Sequence, residues 1–467
     1  MARIAVIGAG MGAMATAARL AVAGHQVTVY ERGATYGGAV GRYARDGFVF
    51  DTGPGLVHLP AVYRDLFVKT GKRPLEECAE LVQIDPAVRY VLPDSRTVTL
   101  PGGSHGGAAA AVGAAFGPGS GERWSAVLGR ARDAWDATRR PLLEEPLRPG
   151  REALGRDPYP ALRGSGLLRR RPPTLAEVAV RELGGDGPDE LLTARVRAYG
   201  IDPATAPASA AVLPYMEQTF GSWYVRGGTR ELATAVYERC LERKVAFEFG
   251  ATVREALVRD DRAAGLRLAD GTEVEADCVV CAVDPQKLRI PLTADSTPAR
   301  TEPGRWYTLF AALRGPREAD AVHRTLLGPV TVLRPDDPAT RPDAEHEAVT
   351  VHAVVTAGST EPSPSAEDLL TAAARAVPGL RERLLWHELR TPADVEAATG
   401  AVGGRVPAPS LAGAGGRLLH PANSTGVPGL YLAGGWAHPG GGLAHAGMTG
   451  ALVAGLIVEG AEFRGSR

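Results

Sequence analysis

Two glycine-rich turns, one near each end of the chain, constrain this sequence more than any other feature. The first lies in Ile4-Ala5-Val6-Ile7-Gly8-Ala9-Gly10-Met11-Gly12-Ala13. It follows a short apolar run (Arg3 to Ile7) and precedes an uncharged one, so it reads as strand, tight turn and helix. In Gly8-x-Gly10-x-x-Ala13, Gly8 permits the turn, Gly10 lets the main chain approach a pyrophosphate, and Ala13 lets helix and strand pack closely. The helix N-terminus adds about half a positive charge, directed at the phosphates. Glu31, at the tip of the next strand (26–30), suits hydrogen bonds from ribose hydroxyls and disfavours a 2′-phosphate. Gly37-Gly38 then offers a second close approach of main chain to a long cofactor. A nicotinamide dehydrogenase has no need of that second approach, so the cofactor these residues imply is FAD. The other turn, Gly434-Gly435-Trp436-Ala437-His438-Pro439-Gly440-Gly441-Gly442-Leu443, follows the apolar Leu430-Tyr431-Leu432 and precedes a helix-like run. One extended dinucleotide touched by both ends of the chain accounts for both.

The bulk properties narrow the rest. A chain of 467 residues supports two or three domains with full cores. With a formal net charge of -1, no nucleic-acid partner is expected; arginine greatly outnumbers lysine, found only at Lys69, Lys72, Lys244 and Lys287, but the arginines are scattered rather than arrayed. The cysteines are 4, Cys78, Cys240, Cys278 and Cys281, too few for a disulfide framework. Cys278-Val279-Val280-Cys281 has the spacing of a metal or redox pair. It sits inside an apolar run with no second ligand pair nearby, so it reads as strand, and no metal is expected. No apolar run is long enough to span a membrane, and a reducing, cytoplasmic location is expected. Membrane-surface contact stays open through Leu167-Leu168 beside Arg169-Arg170-Arg171, which equally suits a solvated loop.

Along the chain, residues 60–72 have a helical apolar face, and 90–100 alternate as a half-buried strand pair. Residues 124–181 are basic and helical in period, broken at Pro141, Pro158 and Pro172-Pro173. A helix over 230–243, strands over 246–249, 253–259 and 264–268, and one strand over 274–283 return the chain to α/β character. A polar loop is expected over 334–347.

Several stretches together resemble the phytoene-desaturase-like flavoproteins, bacterial carotenoid desaturases within the FAD-dependent amine-oxidase superfamily. They are Gly37-Gly38, Phe50-Asp51-Thr52-Gly53-Pro54, Trp223-Tyr224-Val225-Arg226-Gly227-Gly228-Thr229 and the terminal stretch from Leu430 to Leu443. The likeness runs nearly end to end, with 105–200 the most divergent part. It implies an α/β fold: a Rossmann-like FAD-binding domain from the non-contiguous segments 1–85, 226–295 and 401–467. A mixed α+β substrate domain, including a helical part, would come from 86–225 and 296–400. It also implies roles. Met11 and Gly12 would give amides to phosphate, Glu31 and Arg32 would hold the adenosine end, and Val253 would pack by the adenine. Gly53, Pro54 and Gly55 would pass the isoalloxazine, and Gly434, Gly435, Gly442 and Leu443 would close the site. Two departures stand out. Ala39 occupies the place of the family's basic residue after the glycine pair, with Arg42 as its stand-in, and Ala444-His445-Ala446-Gly447 replaces a Pro-Gly segment.

His438 is the one candidate catalytic side chain, either tuning the flavin or accepting a proton, or else a turn residue held by main-chain hydrogen bonds. Trp223 and Tyr224 line a channel or belong to the core. The implied reaction is desaturation of an apolar carotenoid or isoprenoid polyene by hydride transfer to the flavin, with oxygen or a quinone as acceptor. Saturase, isomerase or oxidase chemistry on another hydrophobic natural product is the alternative. An amine oxidase is a weaker one, since Gly435 and Ala437 stand where those enzymes carry an acid and a threonine. A flavin-binding partner without turnover is the reading outside enzymes.

Overall fold

The computed structural model describes residues 1–147, 157–162, 172–288, 290, 304–356, 362–412 and 420–465. Strand β1 (Arg3–Ile7) is apolar beyond Arg3 because it lies at the centre of a parallel sheet. Helix α1 (Met11–Val22) follows, then β2 (Gln26–Glu31), paired with β1 from Arg3↔Gln26 to Ile7↔Tyr30. A hairpin of β3 (Arg42–Arg45) and β4 (Phe48–Asp51) leads to α2 (Ala61–Thr70) and β5 (Leu81–Gln83). The pair expected over 90–100 is the hairpin β6 (Val88–Val91) and β7 (Thr97–Leu100).

The helical layer comprises α3 (His105–Phe116), α4 (Ser120–Arg139), α5 (Leu175–Leu183), α6 (Pro188–Arg197) and α7 (Val212–Phe220). Helix α4 stops just before Pro141, whose ring cannot continue an α-helix. Trp124, Leu128, Leu175, Leu191 and Met216 of this layer form one core with Tyr90 and Leu100 of the hairpin. Leu167 to Arg171 lie outside the described residues, and no described helix is long and apolar enough to cross a membrane.

Strand β8 (Trp223–Val225) pairs with β5, and α8 (Thr229–Glu242) leads into β9 (Ala246–Phe249), the far edge of the parallel sheet. Strands β10 (Val253–Arg259), β11 (Arg262–Leu268) and β12 (Glu273–Glu275) form an antiparallel sheet, followed by β13 (Cys278–Cys281). The single strand expected over 274–283 is therefore two. Glu273 and Glu275 suit the exposed antiparallel strand, whereas Cys278-Val279-Val280-Cys281 is fully buried beside β1, both thiols free. Burial pushes the Cys281 thiol up to about 12, the state of an inert core cysteine.

The largest sheet combines the β6–β7 hairpin with β14 (Gly304–Arg314), β15 (Arg324–Leu327), β16 (Val330–Leu333) and β17 (His346–Val355). Helices α9 (Ala366–Ala374) and α10 (Leu380–Arg383) precede β18 (Leu384–Arg390), α11 (Pro392–Thr399) and β19 (Arg405–Val406), and both strands pair with β14. One sheet face carries Leu309 and Val351 against Leu369 and Leu370 of α9. The other carries Phe310, Ala312 and Ala348 against Phe48 and Phe50 of β4. The expected polar loop over 334–347 is anchored inside the molecule, because Arg334 and Glu347 at its ends form a buried pair (Nε–Oε1 2.7 Å). Last come β20 (Leu430–Leu432), closing the parallel sheet in the order β20-β13-β1-β2-β9, and α12 (Leu443–Val458), packed on α1. The parallel sheet thus takes its strands from three separate stretches of sequence.

Candidate flavin and substrate site

The glycine turns meet at the C-terminal end of β1. Gly8 has φ +90°, and its N–H donates to the Tyr30 carbonyl (2.8 Å). A Cβ there would lie 2.5 Å from Val283 Cγ1. Gly37, with φ +101°, donates to the Ala9 carbonyl (2.8 Å) and bridges Gly10, while Gly38 lies against Gly10 Cα. Gly12 touches the other end of the chain: a Cβ on it would come 2.7 Å from Gly434 Cα and 2.8 Å from the Ala446 carbonyl oxygen. The Glu31 carboxylate pins this turn, Oε2 accepting from Ala9 N–H (2.7 Å) and Oε1 from Gly33 N–H (2.8 Å). Each oxygen keeps a lone pair for a further donor.

The first turn of α1 fits a phosphate. No side chain caps it, no acid lies in it, and its first intrahelical bond is from Met14 N–H to the Gly10 carbonyl. The amides of Met11, Gly12 and Ala13 thus precede the ladder. A Cβ on Gly10 would meet nothing within 4 Å, so that approach is open.

Other expected site residues lie around this junction in different ways. Gly53 packs on Ala39, where a Cβ would strike the Ala39 carbonyl oxygen. Pro54 follows it, and Gly55 abuts Leu333 of β16. Gly435 lies on Pro407, and Gly442 (φ +89°) starts α12, whose Leu443 carbonyl accepts from the Tyr63 hydroxyl (2.8 Å). Val253 is buried at the start of β10 among Ala5, Ile7 and Leu266. Arg32 turns to the Ala397 carbonyl of α11 (2.5 Å). Arg42 pairs with Glu231 and donates to the Gly227 carbonyl (3.1 Å), so it braces the start of α8.

His438 is fully buried. Its Nε2 faces the Glu145 carbonyl oxygen at 2.9 Å, and since a carbonyl only accepts, Nε2 carries the proton. Burial lowers its pKa to about 3, leaving it neutral. Its own carbonyl accepts from Asn423 Nδ2 (2.7 Å) and Thr449 Oγ1 (3.1 Å). The ring ties the terminal turn to the segment after α4. Tyr224 is buried, its hydroxyl donating to Asp337 Oδ2 (2.8 Å), while the Trp223 indole N–H donates to the Phe220 carbonyl (2.9 Å).

Three contributors went unseen in the sequence. Arg230, from α8, stacks over Tyr36 at 4.1 Å and donates to the Tyr36 carbonyl and to Thr35 Oγ1 (2.7 Å), fixing the approach to Gly37. Asp51 accepts from Thr229 N–H (3.1 Å) at the start of α8, and burial pushes its carboxyl up to about 6. Arg390 of β18 donates to the Thr52 carbonyl (2.5 Å). Asp51 lies inside a motif that was legible and Arg230 at the start of the expected helix over 230–243; their pairing across the fold was not legible. A pocket beside these turns is lined by Asp51, Gly55, Gly228 and Leu333 with residues of the large sheet; His438 is not among its lining residues.

A parallel sheet whose glycine turns form a two-ended cradle suited to a dinucleotide is the α/β fold of an FAD-binding oxidoreductase. Residues 14–458 match the model of the flavin containing amine oxidoreductases, and the chain belongs to that family; its cofactor is FAD. Among curated relatives, a zeta-carotene-forming phytoene desaturase from Myxococcus xanthus is 32% identical over 288 residues, 60% of this chain and 53% of that protein. That match spans about half of the relative's length. A 4,4'-diapolycopene oxygenase from Methylomonas sp is 27% identical over 98% of both chains. Among solved structures, an oxidoreductase from Methanosarcina mazei shares the fold with a TM-score of 0.68 at 15% identity, covering 96% of this chain and 98% of that one.

Proposed function

We propose that the protein desaturates an apolar polyene of carotenoid or isoprenoid type. The observation that carries this reading is the pocket at the Asp51–Gly55 turn, whose wall includes the apolar Phe50, Leu333 and Ala348. The likeness to a phytoene desaturase supports the substrate class. Bound FAD supplies the hydride acceptor. The chain supplies the rest. The amides of Met11, Gly12 and Ala13 would hold phosphate, Glu31 with Arg32 would hold the adenosine end through its ribose hydroxyls, and Val253 would pack by the adenine. Gly53, Pro54 and Gly55 would hold the flavin end of the cofactor, and Gly434, Gly435, Gly442 and Leu443 would close the site. Phe50, Leu333 and Ala348 exclude water from the face where a C–H bond must align. His438 serves as the tie that positions the terminal turn.

Anaerobic mixing of the flavin-loaded protein with a saturated-end polyene tests this. The expected result is loss of the flavin absorption band together with a longer-wavelength polyene chromophore. An unchanged flavin band across apolar polyenes overturns it. A second reading, oxidation at a terminal carbon of such a polyene, is favoured by the end-to-end match to the diapolycopene oxygenase; it would yield an oxygenated product and need molecular oxygen. For the desaturase, aerobic against quinone-supplied turnover separates the two acceptors. Delivery of the substrate from a membrane surface predicts that the protein floats with anionic vesicles.

A further inference from the structure

The sheet face that packs Phe310 and Ala348 against β4 continues along β17 to Thr350 and His352, and there it turns polar. The pocket beside the Asp51–Gly55 turn is lined on this side by Thr350 and His352, and also by His323. His352 is only 5% exposed. Its Nδ1 lies 2.9 Å from Thr308 Oγ1, and its Nε2 has no hydrogen-bond partner among the described residues. His323, half-buried, packs on Tyr224 at 4.8 Å. Burial, helped by nearby arginines, keeps both rings neutral, His323 at about 3 and His352 at about 4.

A neutral imidazole offers one N–H and one lone pair. A purely hydrocarbon occupant would leave those groups unpaired, which is costly in a buried site. An anionic occupant would face the Asp51 carboxyl on the same wall. No group of three or more His, Cys, Asp or Glu among the described residues is placed to hold a metal ion. We propose that this pocket takes an uncharged oxygen function, a hydroxyl or carbonyl, carried by the otherwise apolar substrate, with His352 and His323 as its hydrogen-bond partners. The assignment rests on the polyene reading of the site and narrows it to polyenes that already bear, or are gaining, oxygen.

The test titrates the flavin-loaded protein, in one detergent, with a linear polyene hydrocarbon and with its terminally hydroxylated counterpart. It reads binding from the shift of the polyene absorption band, and flavin reduction from anaerobic bleaching. The hydroxylated polyene should bind roughly five- to tenfold more tightly, the worth of one neutral hydrogen bond. His352→Leu and His323→Leu should each shrink that preference, and His352→Gln should restore part of it. Equal affinity for the two polyenes in the unsubstituted protein, or a preference that survives both leucine variants, overturns the pocket assignment. Bleaching by both polyenes without a preference overturns the pocket assignment alone. Tight, selective binding with no bleaching by either overturns the desaturase reading and leaves the pocket standing. Binding of neither overturns both.

Discussion

At Gly12 the absence of a single methyl group decides whether the two ends of the chain can meet. The neighbours of that missing group are main-chain atoms of Gly434 and Ala446, which cannot rotate away. Gly12→Ala should therefore cost about 1–3 kcal/mol, as forced overpacking does, and release most of the bound flavin on gel filtration. Unchanged flavin content after that substitution would show the contact to be dispensable. His438 teaches the opposite lesson. A histidine among glycines near a flavin suggests proton chemistry, yet its N–H is spent on the Glu145 carbonyl inside the molecule. His438→Ala leaves that carbonyl without its donor and opens a cavity, so thermal unfolding should report a loss of about 2–4 kcal/mol.

Between elements, the most consequential tie is a buried ion pair between helix α7 and strand β15. Helix α7 is buried along most of its length, and a carboxylate such as Glu217 would ordinarily face water. Instead Glu217 Oε2 meets Arg324 Nη1 of β15 at 2.7 Å, both side chains almost wholly buried. Burial alone would raise the Glu217 carboxyl, but Arg324 holds it down at about 2. Arg324→Met alone should cost about 3–5 kcal/mol by stranding the carboxylate. The pair Glu217→Leu with Arg324→Met should recover most of that loss in the same denaturant titration. Full additivity of the two single losses would argue that the charges do not act as a pair.

Over the whole molecule, burial sets the response to acid. His323, His352, His420, His438 and His445 are all held neutral by burial, with pKa values between about 3 and about 4. An unfolded histidine takes its proton near pH 6.5, so between there and pH 4 the unfolded chain binds more protons. Stability is then fully present above pH 6.5 and falls as the pH drops, by at most about 1.4 kcal/mol per pH unit per histidine. Asp51 opposes this over a narrower window, because its raised carboxyl favours the folded state as pH falls from about 6 towards 3.8, and Asp157, also raised by burial, acts in the same sense. Five histidines outweigh two carboxyls, so the melting temperature should fall steadily from pH 7 to pH 4.5. A flat profile would mean that these rings reach water.

What the chain could announce alone was whatever its neighbours in sequence settle. The strand–turn–helix at Gly8 to Ala13 is local, since φ at Gly8 and the uncapped helix start depend on adjacent residues. The parallel character of β1 follows from an apolar run buried on both faces. The family likeness rested on such local motifs. Three-dimensional packing decided the rest, because side chains far apart in sequence compete for the same buried partners. It cut 274–283 into two strands of different sheets and sent Arg42 to Glu231. It buried His438 at a carbonyl from the segment after α4. On a sheet face that composition marks as apolar, it also set His352 and His323 beside the Asp51 turn, where polarity depends on which strands lie side by side.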